Sequence, residues 1–372
     1  MRIAVISRSK GGGGVRFTSM ELAWAFAGLG HDVHFIAPSA TPATAREREL
    51  LNGVAVHQTP KLNSGKLFGL LRRIRPDLAR LMTGAFPPDT RLAPAIHALG
   101  IPLVESLHLF RPTARLGKGR SLTYRVFPRR RWRIALSNET LRNAVVERAP
   151  NLAPITLVLQ QGVRLPEASG AAPGAPCAEN QPVRAISVCR LDETDKDVST
   201  LLHAFARLRN DRQQRVTLRI VGDGRDSTAL QQSALELGIA HLVDFAGWRE
   251  DVEAELRDAD FFVLSTRGET FGRVCVEAAS LGLPVIATDV PGCRDRVRHG
   301  HSGLLVPQGD AGAMADAIRR LSEDPDLRQR FGERGRTEAR RFDVRRWAED
   351  TLEVAEELGQ SRPRRSSEAP VW

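Results

Sequence analysis

The stretch RGETFGRVCVEAASLGLPVIA, Arg267 to Ala287, decides how the rest of the chain is read. A short apolar run, Phe261 to Leu264, leads into it and reads as a strand. Residues from about Gly272 to Leu281 read as a helix, and Pro284 to Thr288 returns to strand. Strand, polar loop, helix and strand together make a crossover of the parallel α/β kind. Glu269 then falls on the loop at the carboxyl end of the first strand, and Glu277 about a turn and a half into the helix. Ligands of open α/β sheets bind at that edge. Backbone N–H groups at a helix start favour phosphate. A carboxylate beside them can accept hydrogen bonds from ribose or sugar hydroxyls.

Working outward, the alternation continues in both directions. In the first half, strands are predicted at 2–7, 32–37, 54–57, 78–82, 102–106, 134–137 and 155–159, with helices at 17–28 and 139–148. In the second half, strands are predicted at 184–188, 216–221 and 243–245. Helices are predicted there at 200–210, 228–237, 252–259 and 311–323, and again within 325–342. Each half is therefore expected to be a Rossmann-like, doubly wound parallel sheet. Residues 166–182, rich in Pro, Gly and Ala and without periodicity, read as the linker. The expected division is a domain over 1–165, a second over 183–345, a helix over 346–360 returning to the first domain, and a disordered tail over 361–372.

A chain of 372 residues is long for one core and suits two domains. No apolar run has the length that spans a bilayer. The opening residues read as a first strand and not as a signal peptide. Cys177, Cys189, Cys275 and Cys293 show no metal-ligand spacing, which fits a reduced, cytoplasmic protein. Charge is uneven. Residues 1–180 hold 25 Lys and Arg against 11 Asp and Glu, so the first half calls for an anionic partner. Two stretches concentrate that charge: Lys61 to Leu81, with Lys66, Arg72, Arg73, Arg75 and Arg80 among apolar residues, and Arg111 to Arg133. Basic amphipathic segments suit anionic membrane surfaces. No nucleic-acid module is present, so nucleic acid is not expected.

Three loops complete the set of candidates. Arg190 and Lys196 lie six apart after the predicted strand 184–188, where two converging cations would stabilise a departing diphosphate. Val221-Gly222-Asp223-Gly224 ends another strand, and its glycines permit a tight turn and close approach to a ligand. Gly11 to Gly14 follows the first strand and precedes a helix, as a phosphate cradle does, but it is not G-x-G-x-x-G and does not indicate dinucleotide binding.

Glu-Thr-Phe-Gly-x-x-x-x-Glu, followed by Ala-x-x-x-Gly-x-Pro-Val-Ile-Ala, resembles the E-x7-E signature of retaining glycosyltransferases of family 4. That family has the GT-B fold, two Rossmann-like doubly wound domains facing each other across a cleft. The resemblance implies that Glu277 holds the donor ribose and that Glu269 sits by the transferred sugar. Residues 189–197 look like the family's G-R-L-x-x-x-K-G, with Cys189 and Asp197 in place of its glycines. Arg190 and Lys196 would then meet the diphosphate, aided by backbone amides near Phe271 and Gly272. Thr270 and Val274 belong to the same donor loop. Gly222 would lie beside the nucleotide, and Trp248 and Arg249 at the base. Gly13 and Gly14 would lie against the diphosphate, and His108 near the reaction centre. No metal or other cofactor is expected besides the nucleotide-sugar donor, a UDP-sugar being favoured over a GDP-sugar. The acceptor would be a hydroxyl, on a lipid-linked or cell-envelope glycan or a small molecule, met by a cytoplasmic protein peripheral to the inner face of the membrane. A sugar-nucleotide epimerase of the same fold, or a non-catalytic sugar-nucleotide or membrane-binding protein, remains the alternative.

Overall fold

The computed structural model describes residues 1–9, 14–39, 44–83, 89, 91–108, 129–166, 181–209 and 216–360. Gly13, most of the linker, the tail from 361 and residues 111–128 of the second basic stretch lie outside them. The chain divides into two units, Met1–Gly162 with Val344–Trp372, and Val163–Asp343.

The first unit runs β1 (Arg2–Ser7), α1 (Gly14–Gly28), β2 (Asp32–Ala37), α2 (Ala45–Leu50), β3 (Ala55–Gln58), α3 (Ser64–Ile74), β4 (Leu78–Thr83), α4 (Ala93–Ala98), β5 (Leu103–Leu107), β6 (Trp132–Leu136), α5 (Glu139–Arg148) and β7 (Thr156–Val158). Its sheet is parallel, in the order β3-β2-β1-β4-β5-β6-β7. Ile3 to Ile6 of β1 are wholly buried, as a strand covered on both faces must be. Alternate side chains supply the two faces. Ala4 and Ile6 join Leu67 and Leu71 of α3 and Ile96 of α4, whereas Ile3 and Val5 join Leu22 and Phe26 of α1.

The second unit runs β8 (Val183–Val188), α6 (Val198–Leu208), β9 (Val216–Val221), α7 (Ser227–Glu236), β10 (Val243–Gly247), α8 (Val252–Arg257), β11 (Phe261–Leu264), α9 (Arg273–Ser280), β12 (Val285–Thr288), α10 (Pro291–Arg294), β13 (Gly303–Val306), α11 (Ala311–Glu323) and α12 (Pro325–Ala339). The parallel order is β10-β9-β8-β11-β12-β13. Strand order therefore reverses between β8 and β11, and a crevice opens at the carboxyl ends of two such strands. The last helix, α13 (Val344–Gln360), belongs to the first unit, where Trp347, Ala348, Ala355 and Leu358 pack with the α1 side of the core.

One expectation from the sequence is corrected. Lys61 to Leu81 is not one basic surface. Arg75 caps α3 in the left-handed region, at φ 51°, and Pro76 follows, so the chain breaks there and re-enters the sheet as β4. Arg80 lies in the middle of that strand and is fully buried. Its guanidinium donates to the Val104 carbonyl at 3.1 Å and to Ser106 Oγ at 2.6 Å, and it stacks over Trp347. Burial lowers its pKa to about 9, against the opposing pull of Glu105. Among the described residues, no helix is long and apolar enough to cross a membrane.

Candidate active site

The two strands that flank the switch in strand order each end in a charged group, and the two groups meet. Lys196, beyond β8, places Nζ 2.7 Å from Glu269 Oε2, beyond β11. Each side chain is about a fifth exposed, at 19% and 21%. Burial opposes both charges, pulling the lysine pKa down and the carboxyl up. Their mutual attraction outweighs it, so Lys196 is raised and Glu269 lowered from their ordinary values. Glu269 also accepts from the Thr270 N–H at 3.2 Å. Further bonds lace the loops together: Arg267 N–H donates to the Asp195 carbonyl at 2.9 Å and Thr266 Oγ1 to the same oxygen at 2.8 Å.

Asp197 shows how the departure from glycine is absorbed. It holds φ 47°, a region where glycine is strain-free and aspartate is among the better-tolerated alternatives. Its buried carboxylate accepts from Arg267 Nη2 at 2.7 Å and Thr200 Oγ1 at 3.0 Å. Asp197→Ala would keep the backbone strain and lose both bonds, whereas Asp197→Gly would lose only the bonds. Alanine is therefore expected to cost about 1 kcal/mol more than glycine, the usual penalty for a Cβ in that region. Denaturant unfolding of the two variants checks this, and equal midpoints would refute it.

On α9, Glu277 sits in the second turn. Arg273 Nε and Nη2 reach its Oε1 at 2.9 and 2.8 Å, an i,i+4 pair that orients the carboxylate. Gly272 caps the helix at φ 75° with no side-chain cap. Phe271 is buried beneath, edge-on to Phe342. The Arg296 guanidinium lies over both rings at 4.3 and 4.4 Å, and burial lowers its pKa to about 10. Arg273 and Arg296 were not anticipated. The first was legible from its spacing to Glu277; the second is brought to Phe271 only by folding. Thr270 and Val274 are half-buried on the same loop and helix.

Other anticipated residues are placed differently. Arg190 is not joined to Lys196 or Glu269 and is 61% exposed, with Nη2 2.9 Å from Asp195 and 3.5 Å from Asp192. Gly222, at φ 138°, lies against the backbone of Cys189, where an added Cβ would overlap the Cys189 carbonyl oxygen. Gly224 is pressed in the same way on Leu191. These glycines let one loop close on the other, so a neighbouring strand end, and not only a ligand, explains them. Trp248 is 63% exposed, which excludes a packing role. Arg249 donates to Glu255 at 3.2 Å, a carboxylate already held by Arg219.

In the first unit, His108 follows β5. Its Nδ1 lies 3.0 Å from Gln161 Oε1, and Gln161 Nε2 lies 3.5 Å from Thr18 Oγ1. Burial, and then the charge of Arg80, lower the His108 pKa to about 4, so the ring is neutral at pH 7. The amide oxygen accepts from Nδ1–H, which leaves Nε2 as the acceptor nitrogen of the ring. Gly14 begins α1 and is exposed.

A family model described as glycosyl transferases group 1 matches residues 177–338, and one described as glycosyltransferase family 4 matches residues 12–151. The lipopolysaccharide core biosynthesis glycosyltransferase LpsE of Rhizobium meliloti is 39% identical over 140 residues, 38% of this chain and 40% of that protein. The phosphatidyl-myo-inositol mannosyltransferase of Mycobacterium leprae is 35% identical over 175 residues, 46% of each. The chain thus spans less than half the length of these curated relatives. Among solved structures, a glycosyltransferase from Rickettsia africae superposes with a TM-score of 0.78 at 14% identity, covering 97% of this chain and 99% of that one. Anabaena Alr3699/HepE in complex with UDP-glucose gives 0.73 at 20% identity, covering 96% and 99%.

Proposed function

The chain belongs to the family 4 glycosyltransferases and has their GT-B fold, and on that premise we propose that it transfers a sugar, with retention of configuration, from a nucleotide-diphosphate sugar to a hydroxyl acceptor. The observation that carries this reading is the Lys196–Glu269 pair at the switch in strand order, 2.7 Å apart and largely shielded from water. The helix α9 starts four residues after Glu269, and the amides of a helix start favour phosphate beside such a cation. In the proposed reaction the bond between the anomeric carbon and the diphosphate breaks, and the leaving group takes the electron pair. Lys196 and the amides near Gly272 stabilise that charge. Arg190 joins them after exchanging Asp195 for the diphosphate. The acceptor oxygen attacks from the face the diphosphate leaves, and its proton passes to the departing phosphate oxygen. No enzyme nucleophile is needed. Glu269 positions the sugar, and Glu277 accepts from the ribose hydroxyls.

UDP-glucose in Anabaena Alr3699/HepE favours a UDP-sugar donor here. The names of the relatives, one acting in lipopolysaccharide core biosynthesis and one a phosphatidyl-myo-inositol mannosyltransferase, favour an envelope or lipid-linked acceptor. The basic first half is the surface proposed to meet an anionic membrane.

Nucleotide release from a panel of UDP-, GDP- and dTDP-sugars in EDTA tests the reading. One donor is expected to be hydrolysed slowly, and Glu277→Ala to raise its KM about tenfold to a hundredfold, the worth of hydrogen bonds to a charged acceptor. An unchanged KM removes Glu277 from the ribose. No release from any donor, with no binding of UDP or GDP by calorimetry, ends the enzyme reading.

A further inference from the structure

The first unit has a concave surface that the donor chemistry does not use. A depression of about 720 Å³ lies between β3 and α3, lined by His57, Thr59, Lys66, Gly69, Arg72 and Arg73 among others. β3 is the edge strand of its sheet, so among the described residues one side has no neighbouring strand to cover it. None of the lining residues is acidic, and α3 carries no Asp or Glu. Lys66, Arg72 and Arg73 are all exposed. Lys66, Gly69 and Arg73 recur at the spacing of one helical face, with Arg72 beside them.

Gly69 is the informative residue. Glycine inside a helix is less favourable than alanine. An added Cβ at Gly69 would meet nothing within 4 Å, so packing does not require the glycine. What its absent side chain leaves is an open floor between cations. His57 stacks on His34, with His34 Nδ1 2.9 Å from its Nε2. Burial, then His34 and Arg73, hold its pKa below the ordinary value, so at neutral pH the charge belongs to the lysine and the arginines.

We infer that this depression is an anion site that receives a phosphate group, held by the guanidinium forks of Arg72 and Arg73 with Lys66 beside them. Arginine forks match phosphate oxygens in pairs, and an ammonium adds a point charge. The phosphate is that of a lipid headgroup or of a soluble phosphate ester. The inference deepens the proposed role of the basic first half, and its residues lie in a different unit from the Lys196–Glu269 pair.

The test uses the full chain. Vesicles of phosphatidylcholine with and without phosphatidylglycerol are compared in sedimentation, and glycerol phosphate is titrated by calorimetry. Three variants accompany the wild type, each checked by thermal melting: Arg72→Ser with Arg73→Ser, Gly69→Gln, and a charge-matched control, Arg319→Ser with Arg330→Ser. Binding of one or both probes is expected, at least tenfold weaker in the first two variants and unchanged in the control. Gly69→Gln keeps the charge and favours the helix, so its loss of binding would identify the open floor. Binding to phosphatidylglycerol vesicles alone assigns the phosphate to a bilayer, and binding of glycerol phosphate assigns it to the ester itself. No binding of either probe overturns the inference, as does binding by the two site variants equal to that of the wild type or an equal loss in the control. No turnover is measured, so failure here leaves the transferase reading standing, and failure of nucleotide release leaves this site standing.

Discussion

Lys196→Ala is expected to lower sugar-nucleotide turnover about a thousandfold, with a smaller change in donor KM. One preorganised charge aimed at a developing anion is worth roughly 10² to 10³ in rate, and the shielded setting of Lys196 favours the upper figure. Single-turnover nucleotide release reads the effect directly, and a rate within tenfold of wild type would take Lys196 out of the transition state. The same variant tests the pair as structure. Glu269 has a lowered pKa, so its contribution to stability is complete above the ordinary carboxylate value and is lost as pH falls through the lowered one. Lys196 has a raised pKa, so its contribution is complete below the ordinary lysine value and is lost as pH rises through the raised one. Between these limits the wild type has the pair intact. The variant leaves a shielded carboxylate without its cation, a change that costs about 3 kcal/mol in buried pairs. The stability gap between variant and wild type should therefore narrow as pH falls and Glu269 takes up a proton, and a gap that stays constant with pH would refute the pairing.

Gly292→Ala should unfold or disarm the second unit without touching any charged group. A Cβ there would overlap the carbonyl oxygen of Glu269 and lie 2.8 Å from the Phe271 nitrogen. Those are backbone atoms, which cannot swing aside as a flexible side chain can. The Gly292 N–H also donates to that carbonyl at 2.9 Å, so the clash falls on the bond that seats the loop. Overpacking a rigid site costs about 3 kcal/mol. Either the unit pays this in stability or the Glu269 loop shifts and donor turnover falls at least tenfold. Unfolding midpoint and nucleotide release measured together check it: a variant unchanged in both would show that α10 does not hold the loop.

Long, repeated patterns were legible in the sequence. β2, β9, β11, α5 and α11 fall at the predicted residues. Some short elements were not. α4 has six residues with a proline in its first turn, β13 has four, and α10 has four, too few for a period to show. The break at Arg75-Pro76 and the strand after it were legible from the proline and the apolar run at 78–82, but the run of cations hid that Arg80 is buried within that strand. In the site, the motif located Glu269, Glu277 and Lys196. It did not show that Lys196 would pair with Glu269, because 73 positions separate them and only the reversal of strand order makes their loops neighbours. Gln161 beside His108, 53 positions away, was hidden for the same reason.

The place of α13 sets an order of assembly. Its Trp347 lies over the buried Arg80 and belongs to the same core as β1 and α1. Every residue of the second unit separates it in the chain from the sheet that it completes. On a ribosome, the strands that emerge first must wait for a helix made last, while Val163–Asp343 can close its own core in the interval. The first unit to be synthesised is therefore the last to mature. Its unfinished face, with an arginine in it, is exposed to chaperones or to misassembly for as long as translation of the second unit takes.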